Sequence, residues 1–486
     1  MFIIVLFYAL FPLVLWSKKW MKLRPAQEKQ KRKKVPYRSA TPELIKKYSD
    51  IDLIVVGGNI SGLVTAALLS KLGIKVLVLE RKSHPGGQFR PEERSGVEFT
   101  RKVIEVDNVD DVGDILDVVS PGIWWKKRDL VQRRCYETDN KKLKIQENSN
   151  QTRLHMQTTF IDEDAQKHLW NHVLKFRNSN KSAHEALKLY HMPQALRESL
   201  QEICASNFVE YQKISLLGLF ADCEISKNNK LRKIFGDEMD KSSSVVLNAL
   251  GHDESHYPRD GAVKLINELC HTIRTNNSHI LTDAVVTKVR PRDNMVEVNG
   301  VELNAQKIVS AVSLHQTFGL VGFKAPQMKL KIGKAYAFIS LSDDADITES
   351  HKIVIKDNKR YECIYQTKNQ KRVTVVEEMS ERITDGKKLQ ELSNQLLEIS
   401  GVNADHVKWV HLTFEENEHL EHHPSKMIRA NKPWTQFSNL YITGGDIMHT
   451  ESFEDAVRAG YITANAVCNY GTPIDVLFGL ELIKNY

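Results

Sequence analysis

The residues with the clearest chemical spacing are Gly57-Gly58-Asn59-Ile60-Ser61-Gly62, set between a short β-branched run and a helix-like LVTAALLSKLG. At Gly57 a tight turn is permitted, and Gly62 lets a helix approach the strand behind it. The backbone of Gly58, Asn59 and Ser61 lines the turn, where the N–H groups of a helix start can face a pyrophosphate. A second run, Lys75-Val76-Leu77-Val78-Leu79, ends on Glu80, 18 residues beyond Gly62. A carboxylate at that distance accepts from ribose hydroxyls. Strand, turn, helix, strand and acid in this order are the dinucleotide-binding fingerprint in its required context. Asn59 stands where the fingerprint has its middle glycine. A side chain there is expected to crowd the approach to phosphate and to reduce affinity.

Other candidate centres carry less. His419, Glu421, His422 and His423 cluster like metal ligands, but the spacing of a zinc-helix motif is absent and Glu416–Pro424 reads as a polar loop, so no metal is expected. No nucleophile elbow or P-loop lysine motif occurs. The 6 cysteines are scattered without a C-x-x-C pair, which excludes a disulfide scaffold and a zinc knuckle. Trp124-Trp125 reads as core packing or surface contact before it reads as a cavity wall.

The segment after Glu80 resembles a known family. Glu80-Arg81 followed by Pro85-Gly86-Gly87 is similar to the E-R-x-x-x-G-G continuation of the amine oxidase and phytoene desaturase flavoprotein superfamily, and most of all to its retinol saturase and carotenoid desaturase branch. Phe99 resembles the buried segment after that loop. Tyr257-Pro258-Arg259-Asp260-Gly261 resembles a Y-P-x-G-G segment, with Asp260 for the first glycine. The pair around Ile280-Leu281 and Val286 resembles strands whose valine backbone contacts adenine. Lys307–Ala311 resembles the strand returning beneath the dinucleotide, and Phe338–Leu341 a strand of the substrate domain. Near the C-terminus, Thr443-Gly444-Gly445-Asp446 precedes Ala456-Val457-Arg458-Ala459-Gly460 in the family's order. A family glycine near the start of the helix there is replaced around Glu451-Ser452.

The resemblance implies FAD as cofactor, with Glu80 on its ribose, Gly86 and Gly87 against it, and Asp446 on its ribityl–pyrophosphate part beside Gly444 and Gly445. It implies an α/β fold: a Rossmann-like FAD-binding domain with a discontinuous α+β substrate domain. It names no catalytic residue, because the flavin carries the hydride chemistry. Amine oxidases of the superfamily place a lysine beside the flavin. The strand match puts Ala337 near that place and Lys334 earlier, which weakens an amine oxidase reading. A non-catalytic protein that kept the fold as a binding or scaffold module is the alternative from another class.

The elements that must position these residues set the organisation. The expected division is a membrane anchor or signal peptide at 1–23, a basic linker at 24–50, and FAD-binding parts at 51–120, 251–320 and 436–470. Between them lie a helical lobe at 121–250 and substrate strands with a helix at 321–435, before a tail at 471–486. Met1–Trp16 is uncharged and almost wholly apolar, long enough as a helix to span a locally thinned bilayer. Residues 1–50 carry 12 Lys/Arg against 3 Asp/Glu, so the rest of a chain of net charge +7 is slightly acidic. That distribution leaves no basic face for nucleic acid. Cations follow the apolar run, so by the positive-inside rule the body faces the cytosol from a membrane, expected to be the endoplasmic reticulum. An anchored body beside a lobe for apolar cargo favours an isoprenoid- or lipid-like substrate. The electron partner is left unnamed.

Overall fold

The computed structural model describes residues 37–104, 106, 111–127, 133–138, 141–145, 182–188, 256–323, 330–347, 349–356, 359–367, 370–379, 383–420, 433, 435–445, 447 and 452–468. The expected N-terminal membrane helix, most of the helical lobe, Asp446, Glu451, Glu421 with its two histidines, and the C-terminal tail lie outside these residues. Among the described residues no helix is long and apolar enough to cross a membrane.

Leu53–Val56 and Val76–Leu79 are short apolar runs without alternation, and every residue in both is buried. Such strands suit the middle of a parallel sheet covered on both faces. They lie at the centre of a six-stranded sheet with the order Arg38–Ser39, His279–Thr282, Val76–Leu79, Leu53–Val56, Lys307–Ser310, Leu440–Ile442. All its pairings are parallel. The edge strand Arg38–Ser39 falls within the stretch expected as basic linker. The short helix Pro42–Ile45 follows it, capped by the Thr41 hydroxyl and pinned by the buried Ile45.

Helix α1 (Ile60–Lys71) leaves the central strand, and all but its last residue are buried. Burial all round explains why its sequence shows no polar face. Helix α2 (Ala262–Thr275) packs on one side of it.

The second sheet has seven strands, in the order Val407–Leu420, Leu330–Leu341, Arg372–Met379, Lys359–Gln366, Glu349–Lys356, Arg133–Thr138, Lys141–Ile145. One face, with Ala335, Ala337, Ile339, Val373 and Val375, is buried against Leu392, Leu396 and Ile399 of helix α3 (Gly386–Ser400). On the opposite face Tyr336, Phe338 and Val376 pack against Val97 and Phe99, which belong to a hairpin running on from the first sheet's loop. That contact joins the two lobes. The expected polar loop at Glu416–Pro424 is corrected in its first half: through Leu420 it continues a strand, because Leu330–Leu341 is long enough to pair with it.

At the C-terminus, Leu440–Ile442 leads through Thr443 and Gly444 toward helix α4 (Phe453–Cys468). Helix α4 crosses α1 at Gly460, where a Cβ would lie 2.7 Å from the Ser61 carbonyl oxygen and 2.8 Å from Val64 Cβ. The Thr65 hydroxyl donates to the Gly460 carbonyl at 3.0 Å.

Candidate cofactor site

The site grows from the end of the Leu53–Val56 strand. Gly57 has a φ of 106°, a turn conformation that an L side chain adopts only under strain. A Cβ on Gly62 would stand 2.4 Å from the Gly57 carbonyl oxygen and 2.9 Å from Ala311 Cβ. The helix start is therefore seated on the strand ends with no room for a methyl group.

Asn59 takes ordinary extended backbone angles, φ −73° and ψ 175°. Its Oδ1 accepts from the Gly62 N–H at 2.9 Å, and its Nδ2 donates to the Ala311 carbonyl at 2.6 Å. The side chain turns inward as the N-cap of α1 and does not stand across the turn, which corrects the expected crowding. Gly87 makes room for it, since a Cβ there would come within 2.9 Å of Asn59 Cβ. The cap nevertheless occupies one N–H of the first helical turn. The Leu63 N–H donates to the Asn59 carbonyl at 2.9 Å. The N–H groups of Ile60 and Ser61 have no acceptor among the described residues.

Glu80 closes the other side. It is 7% exposed, and its Oε2 accepts from the Gly58 N–H at 2.7 Å while Oε1 accepts from the Lys82 N–H at 2.8 Å. Each oxygen keeps a lone pair for a further donor. Arg81 is exposed and makes no ion pair among the described residues. The Gly86 N–H donates to the Gly58 carbonyl at 2.7 Å, which ties the second glycine turn to the first. Ala284 N–H donates to the Glu80 carbonyl at 2.9 Å, so the chain entering Val286 passes across the acid's strand end. Val286 opens its strand opposite Val298, half-buried. Asp260 is exposed, and Gly261 after it starts α2.

From the C-terminal side, Thr443 N–H donates to the Ser310 carbonyl at 2.9 Å. A Cβ on the buried Gly444 would lie 3.9 Å from Asn59 Nδ2, whereas Gly445 is exposed. Thus Gly57, Gly58, Asn59, Ser61, Gly62, Glu80, Gly86, Gly87 and Gly444 converge on one cradle, with Arg81, Val286 and Gly445 at its margins. The Thr443 hydroxyl and the Gln88 side-chain oxygen are buried without a partner among the described residues, one residue from Gly444 and Gly87 respectively. Unpartnered buried polar atoms, free helix-start N–H groups and a pinned carboxylate fit a dinucleotide such as FAD.

An aromatic wall stands between the second glycine turn and α4. Phe89 meets Phe453 edge-on at 5.6 Å, and Trp125 lies 6.3 Å from Phe453. Of the tryptophan pair, Trp125 packs and Trp124 is 46% exposed. In the first turn of α4 the buried Glu454 and Asp455 each lie 3.2 Å from Arg458, which offsets their charge near the cradle.

Sequence reasoning missed Lys82, Arg101 and Glu415. Lys82 Nζ reaches Glu415 Oε1 at 2.8 Å, and Arg101 reaches Glu415 Oε2 at 3.1 Å. Burial opposes the charge on Glu415, but Arg101 and Lys82 outweigh it and hold the carboxyl down to about 2. A separation of 314 residues between Arg101 and Glu415 leaves no local signal for the pair. Lys334 stands in register with Glu415, whereas Ala337 faces the α3 core.

Residues 55–106 match the NAD(P)-binding Rossmann-like domain. A protein of Danio rerio named inactive all-trans-retinol 13,14-reductase is 23% identical over 298 residues, covering 55% of this chain and 48% of that protein. The all-trans-retinol 13,14-reductase of the same organism is 48% identical over 50 residues, 10% of this chain and 8% of that one. The chain thus spans about half or less of the length of these relatives. Wild-type putrescine oxidase bound to putrescine superposes with a TM-score of 0.58 at 13% identity, over 86% of this chain and 99% of that one. The chain carries an NAD(P)-binding Rossmann-like segment, is similar in sequence over part of its length to the all-trans-retinol 13,14-reductases, and shares the fold of putrescine oxidase.

Proposed function

We propose that the chain is an FAD-dependent oxidoreductase of the saturase or desaturase type, acting on an apolar isoprenoid- or lipid-like substrate. In this reading its N-terminal segment anchors it in the endoplasmic reticulum membrane with the body in the cytosol. The observation that carries the cofactor is the start of α1, where the Ile60 and Ser61 N–H groups lack acceptors among the described residues beside the pinned Glu80. The Ile60 and Ser61 N–H groups would hold the pyrophosphate, and Glu80 would accept from the ribose. Gly86, Gly87 and Gly444 would close around the remainder, with Gly445 at the margin, and Asp446 is carried over from the family resemblance alone. Bound FAD supplies hydride transfer. The protein's part is to orient the reactants and exclude water, which Phe89, Phe453 and Trp125 do at the turn. The retinol named in the relatives supports an apolar substrate, and the apolar N-terminal run supports delivery from a bilayer.

The deciding measurement is the visible absorbance of detergent-purified full-length protein. Flavin near one equivalent is expected, followed by turnover with retinoids or carotenoids and none with amines. A colourless protein that takes up no added FAD overturns the reading. Alkaline carbonate extraction tests the anchor: the chain stays with the membrane pellet, and its release would refute the assignment.

A second reading, a binding or scaffold protein without turnover, is favoured by the N-cap of Asn59, which removes one N–H from the pyrophosphate's donors. The relative named inactive agrees with it. It predicts retinoid binding without any change in flavin redox state.

A further inference from the structure

Six hydrogen bonds form a closed circuit between the cradle and the seven-stranded sheet. The Gly58 N–H donates to Glu80 Oε2 at 2.7 Å, and the Lys82 N–H to Glu80 Oε1 at 2.8 Å. The Lys82 ammonium crosses to Glu415 at 2.8 Å, on the strand Val407–Leu420 of the other lobe. Arg101 donates to the second Glu415 oxygen at 3.1 Å and, through its other terminal nitrogen, to the Gly87 carbonyl at 3.0 Å. Gly86 N–H returns to the Gly58 carbonyl at 2.7 Å.

Arg101 is only 9% exposed and lies 5.6 Å over the Tyr336 ring, with its Nε buried and without a partner among the described residues. A buried guanidinium needs a carboxylate close by. Glu415 provides it, with Glu92 farther off at 3.7 Å. Without the Glu415 charge, Lys82 loses its carboxylate and Arg101 keeps only the more distant Glu92. Gly87 then loses a fixed donor, and the Lys82 backbone that holds Glu80 loses its tether.

Resting on the FAD reading above, we infer that Arg101 and Glu415 are positioning residues for the cofactor. Through Gly87 they fix the second glycine turn, and through Lys82 they fix the ribose-binding carboxylate, so the cofactor cradle takes its shape from the substrate lobe.

The test titrates flavin-stripped full-length protein with FAD by fluorescence quenching, and records the visible circular dichroism of the bound flavin. Glu415→Gln and Arg101→Met are expected to weaken FAD binding by roughly tenfold or more, as for loss of a charged hydrogen bond, and to alter the dichroism. Arg101→Lys restores part of both. The double variant is no weaker than the worse single one, because both cut the same circuit. Glu398→Gln, which breaks the exposed pair with Lys356 on the same lobe, leaves affinity and spectrum unchanged. Glu415→Gln is isosteric and carries the test if Arg101→Met does not fold. Wild-type affinity and dichroism in both variants would overturn the inference, as would an equal loss in Glu398→Gln. A wild type that binds no FAD overturns the functional reading itself, a result separate from these.

Discussion

At Asn59 one side chain does two things that pull against each other. It caps α1 and satisfies the Ala311 carbonyl, which stabilises the fold, yet it occupies the Gly62 N–H that a pyrophosphate could use. Asn59→Gly is therefore expected to bind FAD several-fold more tightly while the apoprotein loses about 1 kcal/mol, the worth of one hydrogen bond. Flavin titration and calorimetry on the same preparation read the two effects, and weaker binding would contradict this account. Gly62→Ala puts its methyl into the Gly57 carbonyl, so a loss of ~3 kcal/mol and of flavin uptake is expected. A stable, yellow Gly62→Ala protein would sink it. The cradle's residues were legible in the sequence because the chemistry of a turn is local: Gly57, Gly62 and Glu80 lie within one strand–helix–strand unit. The inward rotation of Asn59 was not, because the Ala311 carbonyl that draws it in arrives from 252 residues away.

Among the elements, the α1–α4 crossing is the tightest joint. Gly460→Ala must separate the two helices at Ser61 and Val64, and a loss of about 1–3 kcal/mol is expected. Because Ser61 belongs to the cradle, weaker flavin retention should accompany the lower melting temperature. Unchanged retention in a destabilised variant would show that α4 supports the fold without shaping the site. Element types were largely readable from pattern: unbroken β-branched runs gave buried parallel strands, and Gly386–Ser400 shows its apolar stripe. Pairing was less so. Leu420 extends its strand because a partner twelve residues long lies alongside it, and Arg38–Ser39 becomes a strand only against His279–Thr282. Neither segment carries that information itself.

Across the whole molecule, Glu415 links lobe cohesion to pH. Its folded carboxyl titrates near 2, below the ordinary 4.5. The stabilisation is present in full above pH 4.5 and fades as pH falls toward 2. A shift of this size corresponds to on the order of 3 kcal/mol. Glu415→Gln should lower stability at pH 7 by about that much, and the gap to wild type should shrink on acidification below pH 4.5. Chemical denaturation at a series of pH values checks this, and a gap that does not change with pH would refute it.

The order of strands in the first sheet also governs how the chain is made. The central strand Leu53–Val56 waits for its neighbour Lys307–Ser310, and that strand waits for Leu440–Ile442. At roughly 5–20 residues per second, a ribosome needs about 10–50 s between the first two. For that interval a nascent chain holds an apolar strand with one open edge, a template for pairing with other chains. Guarding by chaperones during synthesis is the expected consequence. A premature stop before residue 440 leaves the sheet without its last strand, and such a truncated product cannot complete the cradle however long it is given to fold.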